Sequence, residues 1–341
     1  MSTIDSDAHV LETDRTWDYL LEAEREFRPK VVATPEAEES GGESWLIDGR
    51  FHPKARNVGD DTPKAAREMA DIAARIRHMD RLKVDIQVLY PTIFLRPYTS
   101  RPEVEVALCR SYNRWLVDIW KKGNGRLRWV AVLPLLAMDK ALAEARWAKE
   151  NGACGIFIRG LEGERRLSDS YFFPLYEEAS RLEMPICVHS ATGNFALHDF
   201  FERECGFNKF KLAVVGAFHS ILFDGIPERF PKLRFGFIEV SAQWVPYALH
   251  DLAKRLQRRG KKLGSDVMRE SRIYVACQTD DDLSYVLRYS GPRNIVIGSD
   301  YGHADTSSEL EALRKLRENG EVDSKVIDMI LDDNARALYG L

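Results

Sequence analysis

The chain opens with TIDSDAHVLETD (Thr3–Asp14). A strand-forming run over Thr3–His9 ends in Asp7-Ala8-His9, and side chains alternate along a strand. Asp7 and His9 therefore share one face while Ala8 takes the other. A carboxylate and an imidazole aimed the same way from a strand tip are costly in an apolar interior unless something offsets their desolvation. A divalent cation does so. Alone, the triplet is a weak signal. Its weight depends on what ends beside it.

Working outward, Val/Ile/Phe-rich runs with little polar alternation recur at Asp85–Thr92, Leu127–Leu135, Cys154–Gly160, Pro185–Ser190, Arg234–Val240, Arg272–Thr279 and Asn294–Tyr301. Such runs suit parallel strands covered on both faces. Amphipathic segments lie between them at Val104–Lys122, Met138–Asn151, Tyr171–Leu182, Asn208–Phe230 and Trp244–Arg259, and Gly123, Gly152 and Gly260 follow three of these. Eight strands alternating with helices predict a single (β/α)8 TIM-type barrel spanning residues 1–341. A doubly wound open sheet is the competitor, but no glycine-rich fingerprint follows the first strand.

About 75 residues separate the first two strands, far more than a usual connection. The stretch holds a polar patch, TPEAEESGGE (Thr34–Glu43), then WLIDGRFHPKARN (Trp45–Asn57), then a helix expected around Pro63–Arg81. An insertion here hangs over the C-terminal mouth of the barrel. Residues 10–80 are read as a partly helical cap that shapes the pocket.

Two more strands end in chemistry. His189 closes PICVHS and Asp300 closes NIVIGSD. The tips of strands one, five and eight are neighbours in space only if the sheet closes. Mixed imidazole and carboxylate ligands suit zinc, iron, manganese or similar cations.

These residues resemble the amidohydrolase-related group of the amidohydrolase superfamily, which contains aminocarboxymuconate-semialdehyde decarboxylase, γ-resorcylate decarboxylase and related hydrolases and hydratases. Further similar stretches are HMDRLKVDIQVLYPT (His78–Thr92), ERFPKLRFGFIEVSAQWVP (Glu228–Pro246) and NIVIGSDYGHAD (Asn294–Asp305). The resemblance implies that Asp7, His9, His189 and Asp300 hold one divalent transition metal ion, with two as the alternative. It also implies that Asp300 handles protons and that the protein forms a homodimer. Many members carry HxH on strand one, where this chain has Asp7, and a histidine at the end of strand six, where it has Glu239. Strand four ends in Phe157-Ile158-Arg159, with no lysine to bridge two metals.

Glu239 and Glu12 are accordingly candidate extra ligands, and Glu239 a candidate base. Arg159 is expected to bind a substrate carboxylate through its planar fork, or else to pair with a neighbouring acid. Tyr90 and Trp244, with Phe94, are candidate walls for an aromatic or unsaturated substrate. His303, His52 and His219 are candidate substrate contacts, and His78, His198 and His250 are read as surface or packing residues.

Composition narrows the rest. The 341 residues are 45% hydrophobic and 30% charged, with a net charge of -4. That excludes a basic field for nucleic acid, and no apolar run is long enough to cross a bilayer. The acidic N-terminus does not read as a signal peptide. Five cysteines without a CxxC pair fit free thiols and a cytoplasmic protein acting on a small molecule. The leading expectation is a hydrolase in which Asp300 takes a proton from metal-activated water, which then attacks an amide, lactone, thioester or ring-cleavage product. Non-oxidative decarboxylation of an aromatic or unsaturated acid is the alternative. Glu239 tips the balance toward hydrolysis, since one carboxylate repels another. A non-catalytic ligand-binding barrel is the reading from another class.

Overall fold

The computed structural model describes residues 2–33, 42–54 and 57–341. Eight parallel strands pair in chain order: β1 (Ile4–His9), β2 (Ile86–Tyr90), β3 (Leu127–Val132), β4 (Ala153–Arg159), β5 (Ile186–His189), β6 (Phe235–Ile238), β7 (Ile273–Cys277) and β8 (Ile295–Ile297). Each expected strand is present. Their apolar runs are buried on both faces, as in β4, where all seven residues are inaccessible. Helices cover the outside: α1 (Ile72–Leu82), α2 (Pro102–Lys122), α3 (Met138–Glu150), α4 (Phe173–Arg181), α5 (Ala213–Phe223), α6 (Val245–Arg258) and α7 (Leu283–Ser290). Helix α2 shows why these segments are helical. Pro102 opens it, Glu103 and Glu105 sit in its first turn, Lys121 and Lys122 in its last, and Gly123 ends it. In α6 a stripe of Val245, Leu249, Leu252 and Leu256 faces inward. The closing segment, Asp323–Leu341, is one helical rod with a π turn over Met329–Asp333.

The barrel is nearly closed. At the seam His9 N donates to Tyr301 O and Asp300 N to Asp7 O, both at 2.9 Å. Gly298 permits this approach, because a Cβ there would lie 2.2 Å from Asp7 Cβ. The β1–β2 register slips by one residue between Asp5 and Ala8. That bulge sits beside the site and sets where Asp7 points.

Beside its helical segments, the insertion read as a partly helical cap carries a three-stranded antiparallel sheet of Lys30–Ala33, Glu43–Ile47 and Arg50–Pro53. The tight turn is Asp48-Gly49, with φ of 46° and 81°. The Asp-Gly pair between alternating residues is a hairpin signal. Most of the polar patch Thr34–Glu43 lies outside the described residues. The helix expected around Pro63–Arg81 is two: Lys64–Arg67 and α1, separated near Met69 (φ 53°) and restarted by Asp71, which caps Ala74 N. Among the described residues no helix is long and apolar enough to cross a membrane.

Candidate metal centre

Four strand tips deliver the site. His9 ends β1, His189 ends β5, Glu239 follows β6, and Asp300 lies three residues beyond β8. Asp7, His9, His189, Glu239 and Asp300 are all buried. Glu239 (φ 63°) and Asp300 (φ 52°) both sit in the left-handed region. Strain of this kind persists only where neighbours fix the chain, and it concentrates at functional sites.

The donor atoms converge. His9 Nε2 lies 3.5 Å from Asp7 Oδ1, 3.7 Å from Glu239 Oε2 and 3.3 Å from Asp300 Oδ1. His189 Nε2 lies 3.2 Å from both Asp7 Oδ1 and Glu239 Oε2. Atoms of Asp7, His9, His189 and Glu239 all fall within 4.8 Å of one another. Ligand bonds of about 2.0–2.2 Å allow donor separations up to roughly twice that length, so the set fits a cation. Two buried atoms strengthen the fit: among the described residues, His9 Nε2 and Glu239 Oε2 have no hydrogen-bond partner. His9 Nδ1 lies 2.8 Å from Pro91 O. A carbonyl only accepts, so Nδ1 carries the proton and Nε2 turns its lone pair to the centre.

The electrostatics agree. Burial pushes the His9 pKa down to about 4, with His303 adding to the effect, so the ring is neutral. Burial works against ionising Asp7, but His189 and His9 outweigh it and hold its carboxyl well below the usual range. Burial, then Asp300, Asp305 and Asp7, drive Glu239 far above its ordinary value. Crowded carboxylates that resist ionisation are what a divalent charge relieves.

His303 stands differently. Its Nδ1 meets Asp300 Oδ1 at 2.9 Å and its Nε2 meets Thr92 Oγ1 at 3.0 Å. The Thr92 hydroxyl gives its own proton to Val10 O, so it accepts from His303. With a carboxylate on the other nitrogen, both ring nitrogens carry protons. Burial opposes that cation, but the Asp300 charge prevails and raises the pKa. His303 also belongs to a second buried donor group with His9, Glu239 and Asp300, but Asp300 and Thr92 engage its two nitrogens, a geometry that favours a hydrogen-bond donor to Asp300 over a ligand. Ser308 Oγ donates to the other Asp300 oxygen at 2.6 Å.

A cleft opens from Glu239 and His303 toward the cap, lined there by Trp45, His52 and Lys54 together with Ile93 and Arg96. His52 is 6% exposed and its Nε2 has no partner. Burial, with Arg96 and His198 nearby, pushes its pKa down to about 3, so the imidazole is neutral.

Several expected contacts are not made. Glu12 lines the cleft, but its two carboxylate oxygens accept the Thr92 and Ile93 amides at 3.0 Å each, so they join no ligand cluster. Burial pushes its pKa up to about 7 against those amides. Arg159 is taken by Glu162, whose oxygens receive its Nε at 2.9 and 3.0 Å. The alternative of an ion pair holds, and no free fork faces substrate. Tyr90 is the floor beneath the ligands rather than a cleft wall: its ring centre lies 5.0 Å from that of His189 and its hydroxyl meets Tyr339 Oη at 2.7 Å. Trp244 packs on Phe218, and its Nε1 donates to Val240 O. His219 pairs with Asp251 on neighbouring α6 at 3.1 Å. His219→Ala is therefore expected to leave kcat/KM within about twofold, measured beside the parent.

The sequence matches the amidohydrolase family model over residues 4–341. The chain belongs to that family. This amidohydrolase is 20% identical over 318 residues to 2-amino-3-carboxymuconate-6-semialdehyde decarboxylase of Dictyostelium discoideum, covering 87% of this chain and 81% of that one. Among solved structures, it resembles an amidohydrolase from Mycobacterium avium subsp. paratuberculosis with a TM-score of 0.81, 18% identity, and coverage of 100% and 98% of the two chains. It also resembles 5-carboxyvanillate decarboxylase of Novosphingobium aromaticivorans, solved with manganese and 4-hydroxy-3-methoxy-5-nitrobenzoic acid (TM-score 0.73, 18% identity, 100% and 96% coverage). The amidohydrolase barrel and its buried cluster make this a metal-dependent enzyme.

Proposed function

We propose that this amidohydrolase is a manganese-dependent, non-oxidative decarboxylase of an aromatic or unsaturated carboxylic acid. The observation that carries the reading is the pairing of Asp300 with a cationic donor at the edge of the cleft. His303 meets Asp300 at 2.9 Å, so a proton is held beside the carboxylate that would deliver it. The likeness to decarboxylases supports the same reading.

Asp7, His9, His189 and Glu239 would hold the ion, with Asp300 Oδ1 alongside. The carboxylate-rich set suits manganese better than a three-histidine set would. Bound there, the cation supplies the positive charge that anchors the substrate's acidic group. The substrate's flat body lies between Trp45 and Ile93. Asp300, recharged through His303, passes a proton to the carbon bearing the carboxylate. The C–C bond then breaks, its electron pair returns to the π system, and carbon dioxide leaves.

The earlier preference for hydrolysis rested on repulsion between Glu239 and a departing carboxylate. That repulsion is small here. Burial and three acidic neighbours push Glu239 far above its ordinary value, and a cation bound there would offset its charge.

His52 is the cap's contact with substrate, since it lines the cleft and its buried Nε2 has no partner among the described residues. His52→Ala is expected to raise KM about tenfold with kcat nearly unchanged, the pattern of lost uniform binding. Steady-state kinetics check it. The reaction itself is tested by incubating manganese-loaded enzyme with 5-carboxyvanillate, dihydroxybenzoates and 2-amino-3-carboxymuconate semialdehyde. Release of carbon dioxide from one of them supports the reading. Hydrolysis of ester or lactone probes, with no carbon dioxide from any acid, would reject it.

A further inference from the structure

The β1–β8 seam carries the ligands on both sides, yet few backbone hydrogen bonds cross it. Side chains supply what the ladder lacks. Asp5 accepts Ser299 N at 2.9 Å and Ser299 Oγ at 2.6 Å, tying β1 to the residue before Asp300. Gln87 on β2 donates to Asp5 at 3.0 Å and accepts Arg75 Nε at 2.7 Å. Arg75, wholly buried on α1, donates Nη1 to the His9 carbonyl at 3.1 Å. Its guanidinium lies 3.5 Å over the ring of Tyr301, the residue after Asp300. The Tyr301 hydroxyl is in turn held by His78 Nδ1 at 2.7 Å.

Together these contacts form a ring: β1, β2, α1, β8 and back to β1. It brackets Asp300 at both neighbours and holds His9 by its own carbonyl. Burying a guanidinium is expensive. An arginine serving only to dock α1 would be expected to meet a carboxylate directly. Among the described residues Arg75 makes no such bond, and its Nη2 is left without a partner. The contacts it does make are to Gln87, His9 and Tyr301. A left-handed Asp300 persists only where its surroundings over-determine it, and this ring does so.

We propose that Arg75 is a positioning residue that clamps the seam, fixing His9 and Asp300 at the separation the cation requires; this rests on the metal-centre reading above. The test titrates full-length parent, Arg75→Ala and Ser299→Ala with Mn2+, reading free ion by electron paramagnetic resonance and folding by thermal melts. Arg75→Ala that still melts cooperatively is expected to bind Mn2+ at least about tenfold more weakly, the loss typical of a supporting partner. Millimolar methylguanidinium should recover part of the affinity, which a general loss of stability would not permit. Where Arg75→Ala does not fold, Ser299→Ala decides. It keeps the apolar packing and should weaken binding by about tenfold. A decisive variant with the parent's affinity overturns the clamp alone. A parent that binds no divalent ion overturns the metal centre and the clamp with it.

Discussion

Asp300→Asn is expected to fold normally, keep its manganese and lose about 10²- to 10⁴-fold in kcat, the range that positioned acid–base groups contribute. The amide is nearly isosteric and leaves an oxygen facing His9 Nε2, which lies 3.3 Å from Asp300 Oδ1. It cannot carry the transferable proton. It also presents a donor to either His303 or Ser308, both of which donate to the native carboxylate. One of the two bonds must be lost or reversed. Single-turnover kinetics with metal analysis check this outcome, and unchanged turnover would remove Asp300 from the chemistry.

His9→Ala should have its largest effect on the metal. The side chain points one nitrogen at Pro91 and the other at three acidic groups. Its loss leaves Asp7, Glu239 and Asp300 crowded with only His189 as a nitrogen donor. The expected weakening of Mn2+ binding exceeds the roughly 10–100-fold typical of outer contacts. Activity should return only at high added metal, with a cooperative thermal melt showing that the fold is retained. Equilibrium dialysis followed by elemental analysis measures it. Parent-like affinity would place the ion elsewhere.

The barrel and the side chains gathered at its rim were legible because each depends on local pattern. Uninterrupted apolar runs specify doubly covered strands, and a polar residue ending such a run must emerge at the rim. Asp7, His9, His189 and Asp300 were found in this way. Contacts set by the third dimension were not. Arg159 looks like a substrate clamp until Glu162, three residues on, turns back to take it. His303 reads as a substrate contact until Thr92 and Asp300 take its two nitrogens. Arg75 gave no signal at all, since nothing in RIRHMD (Arg75–Asp80) says which arginine is buried. The cap's hairpin, by contrast, was readable. The alternation through ESWLIDGRFHP (Glu43–Pro53) around Asp48-Gly49 is a strand–turn–strand signal that the reading of the cap left unassigned.

Crystals grown with manganese and measured at its absorption edge test the central claim most directly. The account predicts one anomalous peak within bonding distance of His9 Nε2 and His189 Nε2, with carboxylate oxygens of Asp7 and Glu239 completing the set and Asp300 at its side. No peak at that rim in crystals of active enzyme, or a peak that leaves His9 and His189 uncoordinated, would contradict it.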